Sequence, residues 1–185
     1  LEDVGICFCF APVHHKAVAH VMPVRKELGF PTIFNLLGPL TNPCSAGRQL
    51  LGVWGDVYVE PMARALRALG TTKSVIVHSE DGLDEISISA PTRMMFVDKD
   101  YIVEEQLDPE MLGLKRWGLD TVTANTLVGA SELIIESLTG GQESGAKDMV
   151  LMSSAVSLFL ADRVENIREG VELAAGAIDS GGALK

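Results

Sequence analysis

The sequence has no C-x-x-C pair, and its three cysteines, Cys7, Cys9 and Cys44, are too few and odd in number to form a disulfide framework in 185 residues. They read as free thiols in a reducing compartment. No uncharged apolar run approaches the roughly 18 residues of a membrane span. The opening LEDVGICFCFAPVHHK carries acids where a signal peptide carries bases. A cytoplasmic protein with no membrane contact is therefore expected. Basic clusters are missing too: 15 Lys and Arg stand scattered against 25 Asp and Glu, a formal charge of -10, which argues against nucleic acid as a partner. The chain also lacks G-x-x-x-x-G-K-[ST], G-x-G-x-x-G and the G-x-S-x-G elbow, so neither a nucleotide loop nor a serine nucleophile is signalled. Cys7 and Cys9 lie in an apolar run that does not favour a reactive thiolate.

What is present suits one α/β domain: 47% apolar residues and a positive mean hydropathy are enough to fill a core at this length. GICFCF, Gly5 to Phe10, reads as a central strand buried on both faces. From His14 to Leu28, Ala17, Val18, Val21 and Val24 recur at helical spacing, with Pro23 a kink or break and Gly29 a stop. FPTIFNLLGPLTNPCSAGRQ is dense in proline and glycine and reads as a structured connection without regular secondary structure. QLLGVW, VEPMARALRALG and KSVIVHS then spell a β-α-β unit with parallel strands. EISISA and TRMMFVD read as two short strands or a hairpin. Beyond Thr123, three helix-length segments follow, with Asp162 to Glu165 as a cap region and Gly181 and Gly182 as a terminus. A mostly parallel sheet flanked by helices is the expected architecture.

Chemistry is most plausible at Asp81, Asp84 and Glu85, which follow the apolar run VIVH. Ligands of open α/β sheets lie beyond the carboxyl ends of parallel strands. Adjacent carboxylates on a loop that Gly82 can bend suit a hard cation such as Mg²⁺, although a solvated acidic turn is the simpler reading of the loop alone. His14 and His15 open a helix and can face a ligand or merely pack. Arg25 is the basic residue able to hold a substrate carboxylate bidentately, or an ordinary surface arginine. The turn formers of NLLGPLTNP suggest a fixed backbone path, as a hinge or a site wall.

Taken together, FAPVHHKAVAHVMPVRKELGFPTIFNLLGPLTNP, QLLGVW and VIVHSEDGLDEIS closely resemble the anthranilate phosphoribosyltransferase family. The three motifs come in the family's order and spacing. The resemblance covers essentially the whole chain but about the second half of the family's sequence. The first residue is Leu rather than Met, and the chain is expected to be part of a longer protein. By this resemblance, residues 1–185 are the C-terminal α/β domain. Residues 12–28 form a helix against a helical dimerisation region that lies, with the pyrophosphate-cradling GTGGD loop, in the other half. The 185 residues alone are then expected to be inert.

The resemblance further implies transfer of a phosphoribosyl group from phosphoribosyl pyrophosphate to anthranilate in tryptophan biosynthesis, with Mg²⁺ as cofactor and a homodimer as the complete assembly. It places Mg²⁺ at Asp84 and Glu85, and anthranilate at Arg25, His15, Ala11 and Pro12. It names no catalytic residue, and Lys16 and Val18 depart from the family's usual HHPAM. Two alternatives belong to the same broad architecture. One is a non-enzymatic nucleic-acid-binding relative, which should be basic and lack the acidic pair. The other is a pyrimidine nucleoside phosphorylase, against which the wording of GPLTNP and DGLDE argues.

Overall fold

A computed structural model describes residue 2 and residues 5–9, 22–30, 32–42 and 44–184 of the chain. It comprises two compact units, Leu1–Ala46 and Gly47–Lys185.

In the first unit, residues 5–9 form no strand, and Ile6 and Phe8 are exposed. The buried central strand expected there is not seen among the described residues. An apolar run becomes a strand only where a neighbour completes its ladder, which the run itself does not specify. Helix α1 spans Met22–Leu28. The rest of the helix expected over 12–28 falls on residues 12–21, outside the described residues, and the described helix includes Pro23. Gly29 follows at φ 66° and ends it as expected. Helix α2 spans Phe34–Leu40, inside the segment expected to lack regular structure. Its proline, Pro39, lies near the end. Asn35 Oδ1 accepts from Thr32 N at 3.1 Å at the start, and Thr41 N donates to Leu37 O at 3.0 Å at the end. One short helix thus tolerates turn-forming residues that rule out a long one.

The second unit is built on β1 (Arg48–Gly52), α3 (Val59–Ala68), β2 (Lys73–Ser79), β3 (Thr92–Asp98) and β4 (Ile102–Leu107), followed by α4 (Leu127–Ser137), α5 (Gly145–Leu160) and α6 (Ile167–Asp179). The strands lie in the order β1-β2-β3-β4. β1 and β2 pair in parallel around the α3 crossover, with Leu50 opposite Val75 and Gly52 opposite Val77, as the β-α-β reading requires. β2 with β3 and β3 with β4 are antiparallel. The α/β class holds, but the sheet is mixed rather than mostly parallel. Only residues 99–101 join β3 to β4, with Asp98 N donating to Tyr101 O at 3.0 Å. A parallel return needs a crossover of about a dozen residues or more.

Helix α3 packs on β2 and β3, while α5 packs on β1 and β2 with α6 against it. Val59, Met62, Ala63 and Leu66 recur at i, i+3, i+4 and i+7 and are all buried. On the sheet, Val75, Val77 and Met94 join the core formed with Leu151, Met152, Ala155 and Val156 of α5. Ile76, Met95 and Val97 alternate to the opposite face and are buried there. Each such side chain taken from water stabilises by about 1.5–3 kcal/mol.

All three C-terminal helices occur where the sequence places them, and each starts at a side-chain cap: Thr126, Ser144 and Asn166. The last corrects the expected cap region at Asp162 to Glu165. Asn166 Oδ1 accepts from Glu169 N at 3.0 Å, Glu169 Oε1 accepts in return from Asn166 Nδ2 at 2.9 Å, and Glu169 Oε2 accepts from Glu165 N at 3.0 Å. Asp162 instead follows α5 at φ 54° and pairs with Arg48 at 2.6 Å and with Lys73.

One buried charge sets a pH dependence. Asp148 of α5 is 7% exposed, and burial pushes its carboxyl above the usual range. The Trp117 indole N–H, donating at 2.7 Å, opposes the rise, Glu143 adds to it, and Lys115 and Lys147 oppose it. A carboxyl whose folded pKa is raised disfavours the fold while ionised, and the penalty fades as pH falls through that pKa. Asp148→Asn keeps an oxygen for the indole and carries no charge. It should melt a few degrees above wild type at neutral pH, with the gap closing toward pH ~4. Thermal unfolding across pH checks this, and a gap that does not change with pH would contradict it.

Candidate functional site

The parallel pair β1–β2 ends at Gly52 and Ser79, and the segments leaving it stay together. Val53 N donates to Val77 O at 3.0 Å, and His78 Nδ1 lies 2.8 Å from Val53 O. Residues 80–91 then leave the carboxyl end of β2, the edge where α/β sheets hold their ligands.

The turn closes through Gly82 N to Ser79 O at 2.9 Å and Ser79 N to Leu83 O at 3.0 Å. Gly82 has φ 91°, which side-chain-bearing residues rarely adopt. EISISA is not the strand expected. Ser87 N donates to Thr92 Oγ1 and Ser89 N to Ser87 Oγ, each at 3.0 Å, while Ile88 O accepts from Trp117 N at 3.0 Å. Serine and threonine side chains take the place of a ladder partner. The alternation read from the sequence is real nonetheless: Ile86 and Ile88 are fully buried in the core.

The three carboxylates differ sharply in their surroundings. Asp81 accepts from Ser87 Oγ at 2.5 Å, from Ser89 Oγ, and from Leu83 N at 3.3 Å. Burial alone would raise its pKa, but the hydroxyls of Ser87, Ser89 and Ser79 and the Leu83 amide together hold it below the usual carboxylate range. Its contribution to stability is present at neutral pH and lost as pH falls through that lowered value.

By contrast, the side chains of Asp84 and Glu85 make no hydrogen bond or ion pair among the described residues, and both are exposed. Crowding by the protein raises the Glu85 carboxyl, and the neighbouring Asp84 charge raises it further. A cation relieves both costs. Among the described residues no three His, Cys, Asp or Glu side chains converge on a metal position. The pair can therefore offer carboxylate oxygens to a hard cation whose other ligands are waters or phosphate oxygens, which fits Mg²⁺ better than zinc.

Gly52 is the residue that sequence reading passed over. The backbone of Asp84 lies directly on it: a Cβ at position 52 would stand 1.5 Å from the Asp84 carbonyl oxygen. The signal lay in QLLGVW, where a glycine inside a strand marks close backbone approach. Ser87, Ser89 and Thr92 were also missed as holders of the acidic turn, because a strand reading treats alternate serines as solvent-facing.

Of the residues expected at an anthranilate site, Ala11, Pro12 and His15 lie outside the described residues. Arg25 lies in α1, and its side chain is likewise not among those described.

Over residues 1–184 the sequence matches the glycosyl transferase family, a/b domain. The chain belongs to that family. The anthranilate phosphoribosyltransferase of Rubrobacter xylanophilus is 41% identical over 184 residues, which cover 100% of this chain and 54% of the relative. The crystal structure of the anthranilate phosphoribosyltransferase of Thermus thermophilus is similar with a TM-score of 0.90 at 38% identity, covering 99% of this chain and 54% of that one. The anthranilate phosphoribosyltransferase of Saccharomyces cerevisiae in complex with PRPP and Mg gives 0.80 at 32% identity, covering 92% and 49%. The chain thus spans about half the length of the relatives it matches.

In this glycosyl transferase domain the Gly52 contact has a direct test. Gly52→Ala should cost about 1–3 kcal/mol of stability, the scale of overpacking a site that cannot yield. Gly176→Ala should gain about 0.5–1 kcal/mol by helix propensity, because no atom lies within 4 Å of a Cβ at that position in α6. Urea unfolding of both variants checks the contrast; a neutral Gly52→Ala would mean that the acidic turn does not rest on β1.

Proposed function

We propose that the full-length protein transfers the phosphoribosyl group of phosphoribosyl pyrophosphate to anthranilate, giving N-(5-phosphoribosyl)anthranilate and pyrophosphate, a step of tryptophan biosynthesis. The observation that carries the reading is similarity along the whole chain to anthranilate phosphoribosyltransferases, at 41% identity to the Rubrobacter xylanophilus relative. The yeast complex with PRPP and Mg supports the ligand class and the metal. These relatives do not favour nucleic-acid binding or nucleoside phosphorolysis.

In this reading the anthranilate amine attacks C1 of the ribose. An N–C bond forms, the C1–O bond to pyrophosphate breaks, and the amine nitrogen gives up a proton. An aromatic amine is already nucleophilic, so no strong base is needed, consistent with a sequence that signals no triad and no activated thiol. Bound Mg²⁺ would neutralise the negative charge that gathers on the departing pyrophosphate. Asp84 and Glu85 would hold the cation at the carboxyl edge of β1 and β2, free of competing ion pairs among the described residues. Arg25 would hold the anthranilate carboxylate, with Ala11, Pro12 and His15 lining its approach, and the complete protein would be a cytoplasmic homodimer.

Fluorescence of anthranilate, followed with PRPP and Mg²⁺ in the full-length protein, tests the activity directly. Glu85→Ala should lower Mg²⁺-dependent turnover at least about tenfold, in line with the loss of a charged ligand, and more than Asp81→Ala does. Equal and small effects of the two changes would sink the division of roles among the three acids.

A further inference from the structure

We infer that Asp81, Ser87 and Ser89 form a clamp that positions Asp84 and Glu85 for the divalent cation, making the three positioning residues of phosphoribosyl transfer. The inference rests on the reading of the acidic pair given above.

The two carboxylates have no side-chain partners of their own among the described residues. Their placement is therefore inherited from what holds residues 80–91, and that segment has no ladder. On the near side, Asp81 accepts from Leu83 N at 3.3 Å, one residue before Asp84. On the far side, Ser87 lies two residues beyond Glu85 and is fully buried. The Ser87 Oγ to Asp81 Oδ2 bond at 2.5 Å joins the two sides directly. The acidic pair thus sits on a closed loop rather than an open one.

Ser89 doubles the closure through the same Asp81 oxygen, with Ser87 Oγ and Ser89 Oγ 3.2 Å apart. The far side is itself anchored. Ile88 is buried in the core between the two serines, and its carbonyl accepts from Trp117 N at 3.0 Å. Adjacent like charges repel, and on an open loop the repulsion would spread them. The clamp resists that before any cation arrives, so less ordering is left to the binding step.

A loop that positions metal ligands predicts a particular failure when it is loosened. The Ser87→Ala, Ser89→Ala double variant of the full-length protein should bind Mn²⁺, titrated by electron paramagnetic resonance with inorganic pyrophosphate present, about tenfold more weakly than wild type, the scale of one charge-assisted bond. Half-saturating Mg²⁺ for turnover should rise in parallel, and raising Mg²⁺ should recover the lost rate. Ser89→Thr keeps the hydroxyl at a half-buried position and should restore affinity relative to Ser89→Ala.

Unchanged Mn²⁺ affinity in the double variant would overturn the inference. So would a rate lost equally at every Mg²⁺ concentration together with a lower melting temperature, since that is the mark of a purely structural role. If wild-type protein binds Mn²⁺ but transfers no phosphoribosyl group, the proposed activity fails, while the clamp still stands or falls on affinity. If wild-type protein binds no Mn²⁺, both fail.

Discussion

A backbone segment that leaves a sheet without entering another element must satisfy its N–H and C=O groups some other way, and residues 80–91 do so with turn bonds such as Glu80 N to Pro91 O and Gly82 N to Ser79 O, and, toward β3, with hydroxyls. Ser87 N is taken by Thr92 Oγ1 and Ser89 N by Ser87 Oγ, both at 3.0 Å. The serine hydroxyls are then turned onto Asp81. This exchange of ladder for side chains lets Ile86 and Ile88 stay fully buried while Asp84 and Glu85 stay in solvent. A regular strand would have buried its backbone groups in pairing along its length. Here the pairing stops, and the polar end of the segment is free to face a ligand.

The same constraint sorts the charges. Asp81 has its carboxylate oxygens engaged by the Ser87 and Ser89 hydroxyls and the Leu83 amide, which hold its pKa below the usual carboxylate range. Asp84 and Glu85 lack such donors among the described residues, and Glu85 is disfavoured as a carboxylate by its crowding and by Asp84. Uncompensated charge in a fixed place is what a metal site requires in advance of its metal. Arg93 of β3 shows the opposite arrangement. It spends its guanidinium on Glu104 at 2.8 Å and on Asp56 at 2.8 Å, bridging β3, β4 and the turn after β1. Such partly exposed pairs add little stability.

How much of this was legible in the sequence depended on whether a local pattern carried the information. The α3 stripe of Val59, Met62, Ala63 and Leu66, the parallel pairing around it, and the three C-terminal helices follow from periodicity and from the breaks between segments, which are local, whereas the caps themselves were not located. The reversal at β3 and β4 was invisible to that reasoning, because TRMMFVD reads as a strand in either direction and IVEEQL was not singled out as a strand at all; only the shortness of residues 99–101 decides. GICFCF failed for a related reason, since a strand is a property of two segments and the sequence of one cannot supply the other. At the site, DGLDE stood out by composition, whereas its supports did not. Serines in alternation look like the wet face of a strand, and Gly52 looks like any glycine until the carbonyl above it is known.

Gly52 ties these threads together. A parallel pair offers its carboxyl edge to ligands, but an edge alone positions nothing; a loop must be brought down onto it and stopped there. In this chain the stop is steric from below, where the Asp84 carbonyl reaches a strand residue with no side chain, and polar from the side, where Asp81 is bound to Ser87 and Ser89. The two restraints act on different parts of the turn, one on its backbone at Asp84 and one across its base. Together they hold the loop from which the two acidic side chains extend. That combination suits a site whose ligand brings its own phosphate oxygens and needs from the protein only two carboxylates held in a known place.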